Sequence, residues 1–372
     1  MVFDAKSGEY DMRIAMHGAV YGQNFGDVLI QKVVSGYLQF KLGAEVFYPF
    51  ATRSFGAACN QATGDILSLS SSDEVVFGPG GYLGQRNHNR FLWNMRLRTY
   101  HGSLFRLTRR YGLPLFLFGV GVGPLENSRS RSLVGAILDY ASFIQVRDSF
   151  SFEYAKSIVP NQKHIGKMPD VAMLLDQGSI SEPEKKSIIN LVRCGERMVV
   201  AIHVPLPGGK TSSSVKKFFC DLILLVEHNP QYLFVIIYDS PRQVVYRQVR
   251  SQLLSYPNVI EDNYIGPERL LALISQCSIV LSTKLHVGIC ATALGVRSVS
   301  VYFHPKVERF YHEIGQLDYC TYLGQYEGGW LDGAIRGVLT SDRSDLRSTV
   351  NEMRDEVSAR LGELSANILA SV

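Results

Sequence analysis

Short runs of β-branched and aromatic residues alternate along the chain with longer stretches whose apolar positions recur every three or four residues. That alternation predicts parallel sheets covered by helices. In the first half, strands are predicted over Arg13–His17, Glu74–Phe77, Pro114–Phe118 and Phe143–Arg147. Helices are predicted over Asp27–Lys41 and over Ser149–Ser157, the latter capped by Asp148. The segment Asp170–Asp176 closes this half. The polar stretch SISEPEKKS within 177–196 marks a boundary. A second series follows, with strands over Met198–His203, Tyr232–Tyr238, Asn258–Ile260, Ser278–Leu281 and Val299–Tyr302. They alternate with helices over Val215–His228, Glu268–Gln276 and Leu285–Leu294. The expected fold class is therefore α/β, with two units (12–178 and 197–342) and a cleft between them at the C-terminal ends of the strands. In the tail, 343–372, Leu346, Val350, Met353, Val357, Leu361, Leu364 and Ile368 recur at helical spacing, broken only by Gly362. This predicts one amphipathic helix, packed on its own chain with the option of crossing back to the first domain, or alternatively forming a dimer contact.

Composition narrows the class. A chain of 372 residues with 46% apolar and 19% charged residues can bury two cores, which excludes a disordered or coiled-coil protein. The net charge of +4 does not argue for nucleic acid, but leaves room for a local basic cleft. The N-terminal stretch MVFDAKSGEYDMR has no apolar core of a signal segment, and the apolar runs Leu113–Val122 and Tyr232–Tyr238 are too short to span a bilayer. The six cysteines are dispersed without a CxxC, so neither a disulfide framework nor a metal site is expected, and a cytoplasmic location is.

Candidate chemistry gathers at strand ends. Gly78-Pro79-Gly80-Gly81 and Gly119-Val120-Gly121-Val122-Gly123 read as loops that follow strands and let backbone approach an anion, although neither matches a dinucleotide or P-loop pattern. Asn24 and Asp27 lie in the glycine-rich loop His17–Asp27; they face a cleft, or Asp27 simply caps the next helix. Lys284 and His286 stand where a strand gives way to a helix N-terminus, a place that favours an anion. The neighbouring strand delivers His304 and Lys306 to the same rim. Arg147 ends another strand; it reaches a ligand, or pairs with Asp148 or Glu153. His88 and His101 flank an arginine-rich helix, Asn89–Arg110, which is either a solvated face or a guide for an anionic, lipid-linked acceptor. The loop Pro205–Lys210 sits at the rim of the second domain.

Taken in order, these segments resemble the polysaccharide pyruvyl transferases. Asn24–Asp27 resembles that family's opening Asn-x-Gly-Asp, Phe77–Gly81 its glycine loop, Arg147-Asp148 with Ser151 its Arg-Asp-x-x-Ser, and Pro169-Asp170 its Pro-Asp segment. Ser282–His286, Gly295 and Tyr302–Phe310 are similar to its Ser-x-Arg-Leu-His … Gly … Tyr-x-x-Lys-x-x-x-Phe signature. One position departs: Lys284 stands where the family has arginine, keeping the charge and losing the bidentate fork.

The resemblance implies two Rossmann-like domains facing across a cleft, of the glycosyltransferase-B kind. It also implies transfer of pyruvate from phosphoenolpyruvate onto two hydroxyls of a hexose, in a polysaccharide or its lipid-linked precursor, as a cyclic ketal with release of phosphate. On this reading Lys284, Lys306 and Arg147, with the amides of Gly80 and Gly81, offset the donor's negative charge. His286 is the leading acid, His304 a second member, and Asp27 a proton acceptor. Asn24, Asp170 and His88 contact the acceptor. Phosphoenolpyruvate is a co-substrate, and no cofactor or metal is required. Peripheral contact with the inner face of the membrane and a homo-oligomer stay open. The alternatives are a nucleotide-sugar-dependent glycosyltransferase of the same architecture and a non-enzymatic glycan-binding protein.

Overall fold

The computed structural model describes residues 12–371 apart from 86–89, 163, 193–196, 204–211, 242–246 and 343. The chain divides into two units. The N-terminal unit holds the residues up to Gln23, Asp27–Leu174 and the tail from Met353 onward. The C-terminal unit holds Leu175–Glu352 together with Asn24–Gly26.

The N-terminal unit runs β1 (Arg13–His17), α1 (Phe25–Leu42), β2 (Glu45–Tyr48), α2 (Arg53–Cys59), β3 (Ala62–Thr63), β4 (Glu74–Phe77) and β5 (Gly80–Leu83), then α3 (Arg90–Arg96), α4 (Gly102–Arg110), β6 (Leu115–Val122), α5 (Ser128–Tyr140), β7 (Phe143–Val146), α6 (Ser149–Ile158) and β8 (Ile165–Lys167). Its strands are parallel, in the order β3-β2-β1-β4-β6-β7-β8, with β5 also paired to β6. Successive side chains of a strand point to opposite faces. Ala15, Val75 and Phe77 accordingly join one apolar cluster, and Ile14, Met16 and Val76 the other. Both faces are buried, which is why the strands read as continuous apolar runs.

The C-terminal unit runs α7 (Glu182–Val192), β9 (Val199–His203), α8 (Ser213–His228), β10 (Leu233–Ile237), α9 (Arg247–Leu253), β11 (Val259–Asp262), α10 (Pro267–Ser275), β12 (Ile279–Ser282), α11 (Leu285–Ala293), β13 (Arg297–Tyr302), α12 (Pro305–Glu313), β14 (Cys320–Tyr322) and α13 (Trp330–Thr340). Its parallel strands lie in the order β11-β10-β9-β12-β13-β14. Counted within the unit this is 3-2-1-4-5-6, the doubly wound order.

The last helix, α14, spans Ser344–Ser371 and passes Gly362 without a break. Val357, Leu361, Leu364 and Ile368 are buried in the N-terminal unit's cluster with Ile14, Val76 and Phe118. At roughly 1.5–3 kcal/mol per buried large apolar side chain, this seam accounts for the helix's attachment.

Three sequence expectations are corrected. Gly80–Leu83 and Gly119–Val122 are strand, not loop: β6 continues past a register shift between Phe118 and Val120, where Gly119 takes φ +66°. The glycines serve an irregular strand rather than a turn. The expected single helix Asn89–Arg110 is divided into α3 and α4 by a π-helical turn at Leu97–His101. Elsewhere β1 and β4 match the predicted bounds and the other predicted strand ends shift by at most two residues, with their types retained.

Glu74 on β4 is almost fully buried, and Ser371 of α14 donates a hydrogen bond to its Oε1 at 2.9 Å. Burial pushes its carboxyl up to about 7; the Ser371 bond works against this and the charge of Asp73 with it. The folded state therefore holds this proton more tightly than the unfolded chain, and the associated stability is lost as pH rises from the unfolded value through about 7. Glu74→Gln is expected to raise the thermal midpoint near pH 8 and to change it little near pH 5. Thermal melts across that range check this, and a difference independent of pH would contradict it.

Candidate active site

In a doubly wound sheet, ligands bind beyond the strand C-termini where the strand order reverses. In the C-terminal unit that point lies between β9 and β12. β9 ends at His203, and β12 ends at Ser282 ahead of Lys284 and α11. Asp239, two residues past β10, is 4% exposed and sits among these ends. Its Oδ2 accepts a hydrogen bond from Asn24 Nδ2 at 3.1 Å and lies 3.3 Å from Lys284 Nζ. Its Oδ1 lies 3.7 Å from Nε2 of fully buried His203. Its carbonyl accepts from the Phe25 amide at 2.7 Å. Burial pushes the Asp239 carboxyl up, but His203 and Lys284 outweigh that and hold it well below the usual carboxylate range. The site thus holds a buried carboxylate kept ionised beside the Lys284 ammonium.

Lys284 occupies the N-cap position of α11 without a side-chain capping bond, and its backbone N–H donates to Ser282 Oγ at 2.9 Å. His286 is the second residue of α11, within the first turn at the positive end of the helix dipole. Gly26 lies directly against its ring: a Cβ at residue 26 would stand 2.0 Å from His286 Nδ1. Only glycine permits that approach, so the Asn24–Gly26 backbone and the imidazole fix one another. β13 runs parallel beside β12 and ends at Tyr302, two residues before His304, the N-cap of α12. His304 Nδ1 accepts from the Lys306 amide at 3.4 Å. Tyr264 is a further neighbour: burial pushes its hydroxyl's pKa up, and the charges of Glu268 and Asp239 add to this.

The N-terminal unit reverses its strand order between β1 and β4. Here Gln31 Nε2 donates to Pro79 O at 2.7 Å and Tyr82 Oη to Gly78 O at 2.8 Å, which pins the glycine segment. Gly80 takes φ +140°, which disfavours any residue with a Cβ. Arg147 lies across the glycines: a Cβ at Gly81 or Gly121 would come within 3.0 Å of its guanidinium. Arg147 Nε is 3.6 Å from Asp148 Oδ2, and Asp148 Oδ1 caps α6 by accepting from Ser151 N at 2.6 Å. Asp170 Oδ1 accepts from Ala172 N at 3.0 Å at the start of a short turn. Asp27 falls in the first turn of α1, which begins at Phe25. His17 and His101 form a buried pair, Nε2 to Nδ1 at 2.6 Å, with Tyr82 stacked on His101 at 4.8 Å. Burial lowers both, His101 to about 3, and the proximity of His101 lowers His17 further, so the pair stays uncharged at neutral pH.

The structure thus joins Asn24, Lys284 and His286 in one unit, with His304 and Lys306 at the same sheet edge. Arg147, Gly80, Gly81, Asp27 and Asp170 belong to the other unit. His88, Arg86 and the loop Pro205–Lys210 lie outside the described residues. Sequence reading missed Asp239, His203 and Tyr264. The available signal was position: Asp239 and His203 each follow or end an apolar strand, where doubly wound sheets carry their ligands. Among the described residues, no group of three His, Cys, Asp or Glu is arranged to hold a metal ion.

Residues 20–305 match the profile of the polysaccharide pyruvyl transferases. The chain belongs to the polysaccharide pyruvyl transferase family. As a member it is an enzyme, a transferase acting on a sugar substrate. No curated protein matches this pyruvyl transferase family member. Solved structures share its fold over nearly its whole length. HepE from Anabaena with UDP-glucose gives a TM-score of 0.57 at 12% identity, covering 97% of this chain and 100% of that one. UDP-GlcNAc 2-epimerase from Neisseria meningitidis gives 0.61 at 14%, covering 97% and 99%. MnaA from S. aureus with UDP gives 0.61 at 10%, covering 97% of each. These likenesses establish the two-domain, glycosyltransferase-B-like architecture of this pyruvyl transferase family member.

Asp239→Asn removes the anion beside Lys284 and leaves that ammonium without its counter-charge. The thermal midpoint is expected to fall, by a destabilisation of about 2–4 kcal/mol. Calorimetric melting measures it, and an unchanged midpoint would show that Asp239 is not the group holding these ends together.

Proposed function

We propose that this enzyme moves the pyruvyl group of phosphoenolpyruvate onto two hydroxyls of a hexose, in a polysaccharide or its lipid-linked precursor. Family membership over residues 20–305 carries this reading. The donor brings a carboxylate and a phosphate. Lys284 has three N–H donors on one ammonium, directs one at Asp239, and keeps its side chain 37% exposed. It is the proposed donor contact, with the N-terminus of α11 beside it. Lys306, Arg147 and the amides of Gly80 and Gly81 are proposed to share the donor's charge. His286 delivers a proton to the methylene carbon, making C2 electrophilic. A sugar hydroxyl forms a bond to C2 and gives up its proton, to Asp27 or His304. The C2–O bond to phosphate then breaks. A second hydroxyl of the same sugar closes the ketal and releases a second proton, and phosphate leaves with the electron pair of the broken bond. Asn24, Asp170 and His88 are proposed to contact the acceptor.

A second reading, a nucleotide-sugar-dependent glycosyltransferase, is favoured by the structural likenesses, since HepE and MnaA were each captured with UDP or its glucose conjugate. On that reading the positive end of α11 and Lys284 face a diphosphate.

Calorimetric binding separates the two. Saturable binding of phosphoenolpyruvate without a response to UDP, GDP or their hexose conjugates is expected. Nucleotide binding without phosphoenolpyruvate binding would replace the first reading with the second. Two variants test the roles. Lys284→Ala is expected to weaken donor binding about tenfold or more. His286→Ala is expected to leave donor affinity largely intact while lowering turnover about a hundredfold or more. Equal loss of affinity and turnover in the latter would count against an acid role.

A further inference from the structure

Between Arg90 and Ser132 the chain carries eight arginines and a single acidic residue, Glu126, a local excess above the whole chain's net charge of +4. Glu126 is paired with Arg90. Three of the others, Arg98, Arg106 and Arg129, line a groove of about 370 Å³ with Ser128, Ser132 and Leu133. Arg106 is held in place there, its Nη2 donating to Arg98 O and Ser103 Oγ at 3.1 Å each. Among the described residues no carboxylate pairs with these three arginines. Ser128 opens α5, whose dipole adds positive potential at the groove.

Beside this groove, α3 turns apolar side chains outward. Phe91 is 78% exposed, Met95 45% and Leu92 39%, and no residue of α3 is buried. Phe91 and Met95 are four apart and share a face, and Arg98 follows one turn later. Water is a poor environment for that face. A polynucleotide is a poor partner as well, because of this face only Phe91 offers a base a stacking surface, and Leu92 and Met95 would stay in water. An anionic bilayer suits both halves: hydrocarbon for Phe91, Leu92 and Met95, and lipid phosphates for the arginines.

We propose that α3 and the Arg98–Arg106–Arg129 groove form a docking surface for anionic membrane lipid, with a headgroup phosphate seated in the groove and Phe91, Leu92 and Met95 inserted beside it. One short apolar face alone binds a bilayer weakly, and the basic groove supplies the second attachment that stable yet reversible binding needs. The surface does not depend on which donor the enzyme uses.

The test is co-sedimentation of the full-length protein with vesicles of phosphatidylcholine alone and of phosphatidylcholine containing phosphatidylglycerol. Binding is expected only to the anionic vesicles. Arg98→Ala and Arg129→Ala are each expected to weaken it about fivefold. The double change Phe91→Ser with Met95→Ser is expected to weaken it about tenfold or more, with the thermal midpoint unchanged. Equal binding to both vesicle types, or binding indifferent to the Phe91 and Met95 changes, would overturn the proposal. So would saturable binding of inorganic phosphate lost in Arg129→Ala without vesicle binding, which would make the groove a soluble-anion site. A dimer in sedimentation velocity that the Phe91 and Met95 changes dissociate, again without vesicle binding, would assign the face to a second copy of the chain.

Discussion

A single buried carboxylate organises the candidate site. Asp239 gathers Asn24, His203 and Lys284 around its two oxygens and holds the Phe25 amide on its carbonyl. Burying a charge is costly unless it is paired, and here the pairing outweighs burial strongly enough to keep the group ionised. The consequence is geometric. Strand ends from β9, β10 and β12 and the segment Asn24–Gly26 are referred to one point, and Lys284 at the start of α11 cannot swing freely. Gly26 completes the arrangement by pressing its backbone on His286. The His286 imidazole in the first turn of α11 is thereby oriented by packing, at the end of the helix where positive potential is greatest.

The N-terminal unit uses the same device with the charge reversed. There a guanidinium, Arg147, is laid across glycines 81 and 121 and paired with Asp148. In both units glycine lies where a charged or titratable side chain rests flat on backbone, and in the N-terminal unit those glycines run as strand and not as the phosphate-binding turns their composition suggests.

Much of the fold was legible because parallel, doubly covered strands leave a plain trace: LFLF, LFVII and IVL are uninterrupted apolar runs. The tail was legible for the complementary reason, since its helical period survives Gly362. What escaped was structure whose cause is not local. Gly80–Leu83 and Gly119–Val122 are composed like loops, and only pairing between β5 and β6 makes them strand. A π-helical turn inside Asn89–Arg110 leaves no periodic mark, yet it is what brings His101 onto His17. The hub itself joins residues 24, 203, 239 and 284, far apart in the chain and without a shared motif. Lys284 and His286 were visible from their place at a strand–helix junction; Asp239, which restrains Lys284, was not.

The hub also gives a physical account of the lysine at residue 284, where the family's signature carries arginine. A guanidinium pairs best with both oxygens of one carboxylate through a planar fork. At Asp239 Oδ2 accepts from Asn24 and lies 3.3 Å from Lys284 Nζ, while Oδ1 lies 3.7 Å from His203 Nε2, so the cation here meets a single oxygen. A compact ammonium fits a single-oxygen approach and retains two N–H donors for other partners. An arginine here would either compete with Asn24 for Oδ2 or turn its fork away from Asp239 altogether. The lysine and the neighbours of Asp239 are therefore mutually consistent features of this chain: a compact cation is held at one carboxylate oxygen with its side chain still 37% exposed.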